Sequence, residues 1–381
     1  MYFLNYNPIK ETSNTSNNLN INNDLKSKNK LNKDKILDYI SFTKIIASFS
    51  VVILHTNGLG VYWKFKCQYK KYKQYFVSSL LIESLFNFAV PLFFLCIGAT
   101  LLNFNEKYNL KIYFIKRLKK VLLPFIFWNI ILYYYKVYII KNKHPIIFNF
   151  FNIWKIYYGH KIYNIFGSTH SFILVYALIP LIAYIKQTLK IEIYSYGFIF
   201  LFITQLLIPY LIKIYNLNLV WIYKIKVGHI IYIFAGYIIH HYEFKFKSKL
   251  KIYLIGIIGF LLFFFGTKVL TIKNNRSIYL HKGYANVPCL IYSCSFFLFI
   301  KEYSYIFNKI ISKKLINKIG SLTMGPFYLH FPLIEAFNKY YYKINKLSLR
   351  YRLFDGIILY CLSIIITIIM SKIPLIKYLV L

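Results

Sequence analysis

The chain has 381 residues, of which 58% are hydrophobic, and its mean hydropathy is +0.49. An apolar surplus of this size excludes a soluble globular domain. The 48 Lys and Arg outnumber the 11 Asp and Glu, giving a net charge of +37. The lysines are spread over nearly every polar segment without a nucleic-acid-binding motif, so we expect no nucleic-acid partner. We predict an all-α, polytopic integral membrane protein that is surrounded by membrane lipids.

The apolar residues are organised into blocks of about 20 residues, the length that crosses ~30 Å of hydrocarbon as a helix. Continuous apolar runs, rather than short alternating segments, favour helices over a transmembrane β-barrel. About ten such blocks predict about ten transmembrane helices in one bundle. Their approximate bounds are 36–57, 77–103, 112–140, 165–187, 192–213, 227–243, 250–270, 284–301, 318–338 and 353–379.

Residues 1–35 are polar and rich in Asn, Ser and Lys. Such a segment cannot bury enough apolar surface to order itself, so we expect a disordered tail before a membrane domain at 36–381. The tail has no secretory signal peptide pattern, and the first block is expected to act as an uncleaved anchor. A cluster of cations at the start of the third block, 116–120, favours a cytoplasmic location for that end. An even number of spans then leaves both termini in the cytoplasm, with the protein in the cell (plasma or inner) membrane.

The first block contains one cation and closes on a histidine. Residues 45–54 carry no charge, whereas Lys44 precedes them and His55 follows. The two lie about three helical turns and ~16 Å apart along a helix, so they project from one face at different depths. Charged and titratable groups at membrane depth are costly, which marks both as functional candidates. The alternatives are a snorkelling lysine and a structural histidine at the membrane interface.

Further candidates lie in later blocks. Arg117 and Lys120 are three residues apart, so they share a helix face, and they serve either as interfacial anchors or as an anion site. His330 lies between Pro326 and Pro332 in an apolar block. Prolines that break helical hydrogen bonds at membrane depth usually face protein or a cavity, so we expect His330 to line a cavity or to make a structural hydrogen bond.

Acidic residues are few. Glu335 follows His330 by five positions and is a further candidate site residue, at the far mouth of the cavity. Asp38 and Glu83 begin the first and second blocks, and we expect each to pair with a nearby lysine. The five cysteines have neither a CxxC spacing nor a Cys/His ligand spacing, so no metal is predicted.

Six segments in order resemble the membrane-bound acyltransferase-3 family, particularly its surface-polysaccharide O-acetyltransferase branch. In the first segment, Lys44 stands where the family has an arginine, eleven positions before His55. In the third, Arg117 fills the first position of a pair of arginines and Lys120 replaces the second. The segments are DYISFTKIIASFSVVILH (38–55), NFAVPLFFLCIGATLL (87–102), YFIKRLKKVLLPFIFW (113–128), IYIFAGYIIHHYEF (231–244), IGSLTMGPFYLHFPLI (319–334) and SKIPLIKYLVL (371–381).

The resemblance implies an O-acyltransferase that moves an acetyl group from cytoplasmic acetyl-CoA to a hydroxyl of a cell-surface polysaccharide or lipid-linked glycan. It implies His55 as the catalytic residue, since an imidazole titrates near neutrality and can accept the proton of a sugar hydroxyl. Lys44, Arg117 and Lys120 would hold the phosphates of the donor. His330 and Glu335 would bind the acceptor.

Two questions stay open at this stage. His55 either activates the acceptor for direct attack or carries the acyl group itself for a time. A transporter or flippase for a small anion or a lipid-linked sugar is the alternative function, and it would use Lys44, Glu83 and His330 as its pathway. The sequence shows no paired halves with matching broken helices, which such transporters often have.

Overall fold

The described part of the chain is helical throughout. In the computed structural model its backbone forms helices and turns without a strand, which confirms the predicted all-α class. The predicted tail at 1–35 lies outside the described residues. These are 38–57, 73–135, 138, 167–188, 192–215, 229–274, 278, 280–340, 348–374 and 376–380.

The helices of these residues are numbered in chain order. Helices α1 to α5 are Asp38–Thr56, Lys73–Phe86, Ala89–Leu101, Leu110–Arg117 and Leu123–Tyr134. Helices α6 to α10 are Gly167–Thr188, Ile193–Leu201, Ile208–Tyr215, Ile230–His241 and Phe246–Leu261. Helices α11 to α15 are Thr267–Lys273, Val287–Ile310, Lys313–Ser321, Met324–Tyr340 and Gly356–Ser371.

Several helices continue through a π-helical turn instead of ending. A π turn changes the direction of the side chains that follow it and is frequent at functional sites. One of these turns carries Lys120, which lines a cavity, and another carries Arg352, which is buried, as described below. The π turns are Leu118–Leu122 between α4 and α5, Phe202–Leu207 between α7 and α8, Leu262–Gly266 between α10 and α11, and Tyr351–Asp355 before α15.

Each predicted block overlaps a described helix or a pair of consecutive helices. Within the described residues, five helical stretches are long and apolar enough to cross a membrane. These are Asp38–Thr56, Lys73–Leu101, Ile193–Tyr215, Phe246–Lys273 and Tyr351–Ser371. The apolar helices point to a membrane protein, whereas ten spans in one bundle stay a prediction.

Helices α3 and α9 cross with their backbones in direct contact. A Cβ atom added at Gly98 of α3 would overlap the carbonyl oxygen of Ile233, and one added at Gly236 of α9 would overlap the carbonyl oxygen of Leu95. Small residues allow this close approach, which drives the packing of helices in membranes. The two glycines therefore fix α3, which contributes several residues to the cavity described below.

Polar contacts hold the first end of α1. The carboxylate of Asp38 is buried, accepts a hydrogen bond from the amide of Asn317 at 3.0 Å and pairs with Lys313 at 3.2 Å. Glu83 of α2 similarly pairs with Lys282 at 2.6 Å. Both acidic residues are thus paired with lysines, as predicted, and a buried carboxylate needs such partners to be tolerated.

The crossing of α3 and α9 makes a test of the fold. We expect Gly98→Ala to lower the free energy of unfolding by about 1–3 kcal/mol, since the added methyl overpacks a backbone contact. Gly197→Ala is the matched control, because its Cβ would lie 3.4 Å from the ring of Phe234 in ordinary contact. Melting temperatures of the detergent-solubilised variants measure the difference. Equal melting temperatures for both variants would contradict the packing.

Candidate functional site

A cavity of about 240 Å³ lies among α1, α3, α4, α6, α13 and α14. Lys44 of α1, Arg117 of α4 and Lys120 of the following π turn all line it. No Asp or Glu is among the described residues that line this cavity, so its electrostatic potential is positive. The fold thus brings together the three cations that the resemblance assigned to the donor.

The three cations have different surroundings. The guanidinium carbon of Arg117 lies 5.7 Å from the ring centre of Tyr113 and 5.5 Å from that of Tyr176, in cation–π contact. Its Nε is buried and has no hydrogen-bond partner within the described residues, so its N–H group remains an unused donor. Lys44 is half-buried, whereas Lys120 is exposed, and the cavity therefore reaches the surface of the protein at Lys120.

Contacts along α1 show the order in which the site residues follow one another along the axis of this helix. Gly320 packs on Ser41 near the start of α1, Lys44 follows, and the ring of His330 lies beside that of His55 near the end. The cavity extends along α1 from the level of Gly320 to Phe327, one helical turn before His330. Apolar and aromatic side chains line it on α3, α6 and α14, namely Phe93, Ile97, Phe172, Met324 and Phe327.

The two candidate histidines form a pair, with ring centres 5.1 Å apart. Neither is among the residues that line the cavity. The ring of Phe331 packs edge-on against His55 at 4.6 Å. His330 therefore does not line this cavity, contrary to one of the two expectations for it. The cavity is lined instead by Phe327, whose ring centre lies 6.3 Å from that of His330.

The hydrogen bond of His330 indicates which nitrogen of its neutral ring carries the proton. Its side chain is fully buried, and its Nδ1 lies 2.8 Å from the carbonyl oxygen of Pro326. A carbonyl only accepts hydrogen bonds, so in the neutral ring Nδ1 carries the proton and Nε2 has the lone pair. Nε2 has no hydrogen-bond partner within the described residues. His330 thus offers an unused acceptor next to His55.

Glu335 is not brought to the cavity. It is half-buried on α14, one to two turns beyond His330, and interacts electrostatically with Tyr135 of the segment that follows α5. The hydroxyl of Tyr135 donates to the carbonyl oxygen of Pro332 at 3.0 Å. Glu335 therefore lies beyond His330 along α14, as counted from the cavity, and does not line the cavity.

Sequence reasoning missed Arg352, which is only 2% exposed. Its guanidinium donates to Asn57 Oδ1 at 3.1 Å and to Ser78 Oγ at 2.7 Å, and it lies over the ring of Tyr75 at 4.8 Å. Thr56 Oγ1 donates to the carbonyl oxygen of Arg352 at 3.1 Å. Arg352 thus holds the turn of α1 that carries His55. The sequence shows only that this arginine lies beside the last apolar block, and that pattern is equally typical of an interfacial anchor.

The residues of the predicted transport alternative do not converge. Lys44 lines the cavity, whereas Glu83 is bound to Lys282 and, like His330, is not among the lining residues. A substrate pathway through these three groups would have to join separate parts of the protein.

Comparison with known proteins agrees with the resemblance seen in the motifs. No curated protein and no solved structure is significantly similar to the chain. The family model described as an acyltransferase domain matches residues 37–373, which include Lys44, the histidine pair and Arg352. Because this match covers nearly the whole sequence, the chain belongs to the acyltransferase-3 family.

Proposed function

We propose that this membrane acyltransferase moves an acetyl group from acetyl-CoA to a hydroxyl of a cell-surface polysaccharide or of its lipid-linked precursor. The observation that carries the proposal is the convergence of Lys44, Arg117 and Lys120 on one cavity that leads toward the histidine pair. The protein acts in the cell membrane, with both termini in the cytoplasm, so the donor enters from the side of Lys120.

The size and polarity of the cavity suit one part of the donor. Pockets that enclose a drug-sized ligand have volumes of about 300–1,000 Å³, and this one, at about 240 Å³, is smaller. We therefore assign it to the acyl-pantetheine end of acetyl-CoA, with the nucleotide held at the exposed mouth. Arginine and lysine bind phosphate through charge-assisted hydrogen bonds, and the free Nε of Arg117 is one such donor.

His55 is the proposed base. In the direct route its imidazole takes the proton of the sugar hydroxyl while the oxygen attacks the thioester carbonyl. The carbon–sulfur bond breaks, and the thiolate of coenzyme A takes the proton from the imidazolium. In the second route the imidazole itself attacks the thioester, the carbon–sulfur bond breaks, and coenzyme A leaves as the thiol with the proton of the ring. The sugar oxygen then displaces the imidazole from the acyl-imidazole, and the imidazole takes the proton of the sugar hydroxyl. Rapid quenching separates the routes, since only the second accumulates labelled protein.

His330 and Glu335 are assigned to the acceptor. The unpartnered Nε2 of His330 is suited to accept a hydrogen bond from a sugar hydroxyl beside His55. Glu335 lies further along α14, where its carboxylate suits other hydroxyls of the same glycan. This order along α14 suits an acceptor that arrives from the side opposite to the donor.

The overall test is transfer of label. Membranes that contain the protein are incubated with radiolabelled acetyl-CoA, and the glycans are analysed by mass spectrometry for the acetyl increment. Label in the glycan supports the acyltransferase. Label that sealed vesicles take up without transferring it to glycan would contradict the acyltransferase and support the transporter or flippase instead.

Loss of His55 is expected to abolish transfer. His55→Ala removes the proton acceptor, and general acid–base catalysis contributes about 10²–10⁴-fold, so kcat should fall by that factor with little change in melting temperature. His241→Ala is the control, because His241 is an exposed histidine at the end of α9. Wild-type turnover by the His55 variant would refute the role of the imidazole.

Substitutions of Lys44 are expected to act on the donor. A hydrogen bond to a charged group contributes about 1.5–3 kcal/mol, so Lys44→Met should weaken binding of coenzyme A at least tenfold. Lys44→Arg should bind it more tightly than the wild type, because the guanidinium offers a planar fork that an ammonium lacks. Calorimetric titration with coenzyme A measures both.

The matched control for Lys44 is Lys318→Met, since Lys318 is exposed on α13 and does not line the cavity. Equal affinities for coenzyme A in the Met variants of Lys44 and Lys318 would exclude Lys44 from the donor site.

A further inference from the structure

The donor cavity and the histidine pair are adjacent but not continuous. Lys44, Arg117 and Lys120 line the cavity, whereas His55 and His330 do not. Any group that travels from the cations to the histidines along α1 and α14 meets Phe327 first. Phe327 is 5% exposed, lines the cavity and has its ring centre 6.3 Å from that of His330.

The ring of Phe327 belongs to an aromatic cluster. It meets the ring of Phe172 edge-on, with centres 6.5 Å apart, and Phe172 stacks on Phe94 at 4.5 Å. Phe93 also lines the cavity and meets Phe172 edge-on at 6.1 Å. Edge-on and stacked pairs add to the burial of each ring and so hold its orientation.

The backbone that carries Phe327 is held in place. A Cβ atom added at Gly325 would overlap the side chain of Thr367 on α15, so the first turn of α14 lies directly against α15. The residue directly before Phe327 is also held, since the carbonyl oxygen of Pro326 accepts the hydrogen bond from His330 Nδ1 at 2.8 Å. A passage past Phe327 therefore requires rotation of its side chain, since the helix is confined.

We propose that Phe327 is the specificity-determining residue that limits the acyl donor to a short-chain thioester. This inference rests on the proposed function. The ring lies between the cavity and His330, so the acyl group reaches the histidine pair only when the side chain of Phe327 rotates, and the space opened in this way admits an acetyl group but no longer chain. The same ring separates the thioester from water on the acceptor side, which limits its hydrolysis.

The position of Phe327 at one end also accounts for the small volume of the cavity. The apolar lining residues Phe93, Ile97 and Met324 continue the surface formed by Phe327 and Phe172, so methylene groups would be compatible with the walls. Length, and not polarity, is what the closed end restricts. Discrimination by one methylene in an apolar pocket is about 10–200-fold, which sets the size of the expected effect.

The test compares Phe327→Ala and Phe327→Leu with the wild type, each as the full chain in lipid nanodiscs. The donors are acetyl-, butyryl- and hexanoyl-CoA, and the acceptor is lipid-linked glycan extracted from the producing cells. We expect the Ala variant to increase use of hexanoyl-CoA relative to acetyl-CoA by more than about 10-fold, because the two acyl groups differ by four methylenes and one methylene alone is discriminated by about 10–200-fold. We expect the Leu variant, which keeps an apolar branched side chain and preserves packing, to show a smaller increase.

A second readout does not depend on the acceptor. Release of free coenzyme A without glycan should increase in the Ala variant, because water then reaches the thioester. Phe93→Ala is the matched control: this ring lines the same cavity and contacts the same Phe172, but it lies on α3, away from His330. Its loss widens the side wall of the cavity but leaves the closed end in place, so the changes in chain-length preference and in hydrolysis should be smaller than those of Phe327→Ala.

The outcomes separate the two proposals. If the wild type transfers acetyl groups and both Phe327 variants keep its preference and its hydrolysis rate, the role of Phe327 is overturned alone. If Phe93→Ala changes the preference as much as Phe327→Ala does, the cavity as a whole, and not Phe327, sets the length, which also overturns the inference. If the wild type neither transfers nor hydrolyses any of the thioesters, the proposed function fails and the inference fails with it.

Discussion

The rigidity of α1 is the constraint on which the rest of the site depends. One uninterrupted helix carries both Lys44 and His55, so the cation at the cavity and the imidazole of the pair stay ~16 Å apart. A flexible connection would let the two drift, and a donor bound by its phosphates would not present its thioester at a fixed depth. The other elements of the site either hold this helix or pack beside it.

Both ends of α1 are held by charged groups whose costs of burial are offset by hydrogen bonds. Asp38 binds Asn317 and Lys313 at the first end, and Arg352 binds Asn57, Ser78 and Tyr75 at the last. Removal of one partner would leave a buried charge uncompensated, which is more costly than the loss of one contact. The helix is therefore fixed along its axis as well as sideways.

The sequence predicted the helical class, the pairing of Asp38 and Glu83 with lysines, and the cations that line the cavity. These follow from local signals: apolar runs, single charges inside them, and motif order. The sequence did not predict Arg352, because an arginine before an apolar block has the same local pattern whether it anchors the helix or turns inward. Nor did it predict that Phe327 would separate the cavity from the histidines, since that depends on how α6 and α14 pack together. The distance of Glu335 from the cavity likewise depends on the course of α14, which no residue type reveals.

The contact between Gly98 and Ile233 has a consequence for how the protein can diversify. With no side chain between their backbones, α3 and α9 cannot slide past each other, so the wall of the cavity formed by α3 is stiff. Another part of the wall is the π turn with Lys120, which is exposed. Substitutions on the α3 wall of the cavity must therefore keep Gly98 and Gly236 without side chains, whereas the exposed position of Lys120 is not subject to that requirement.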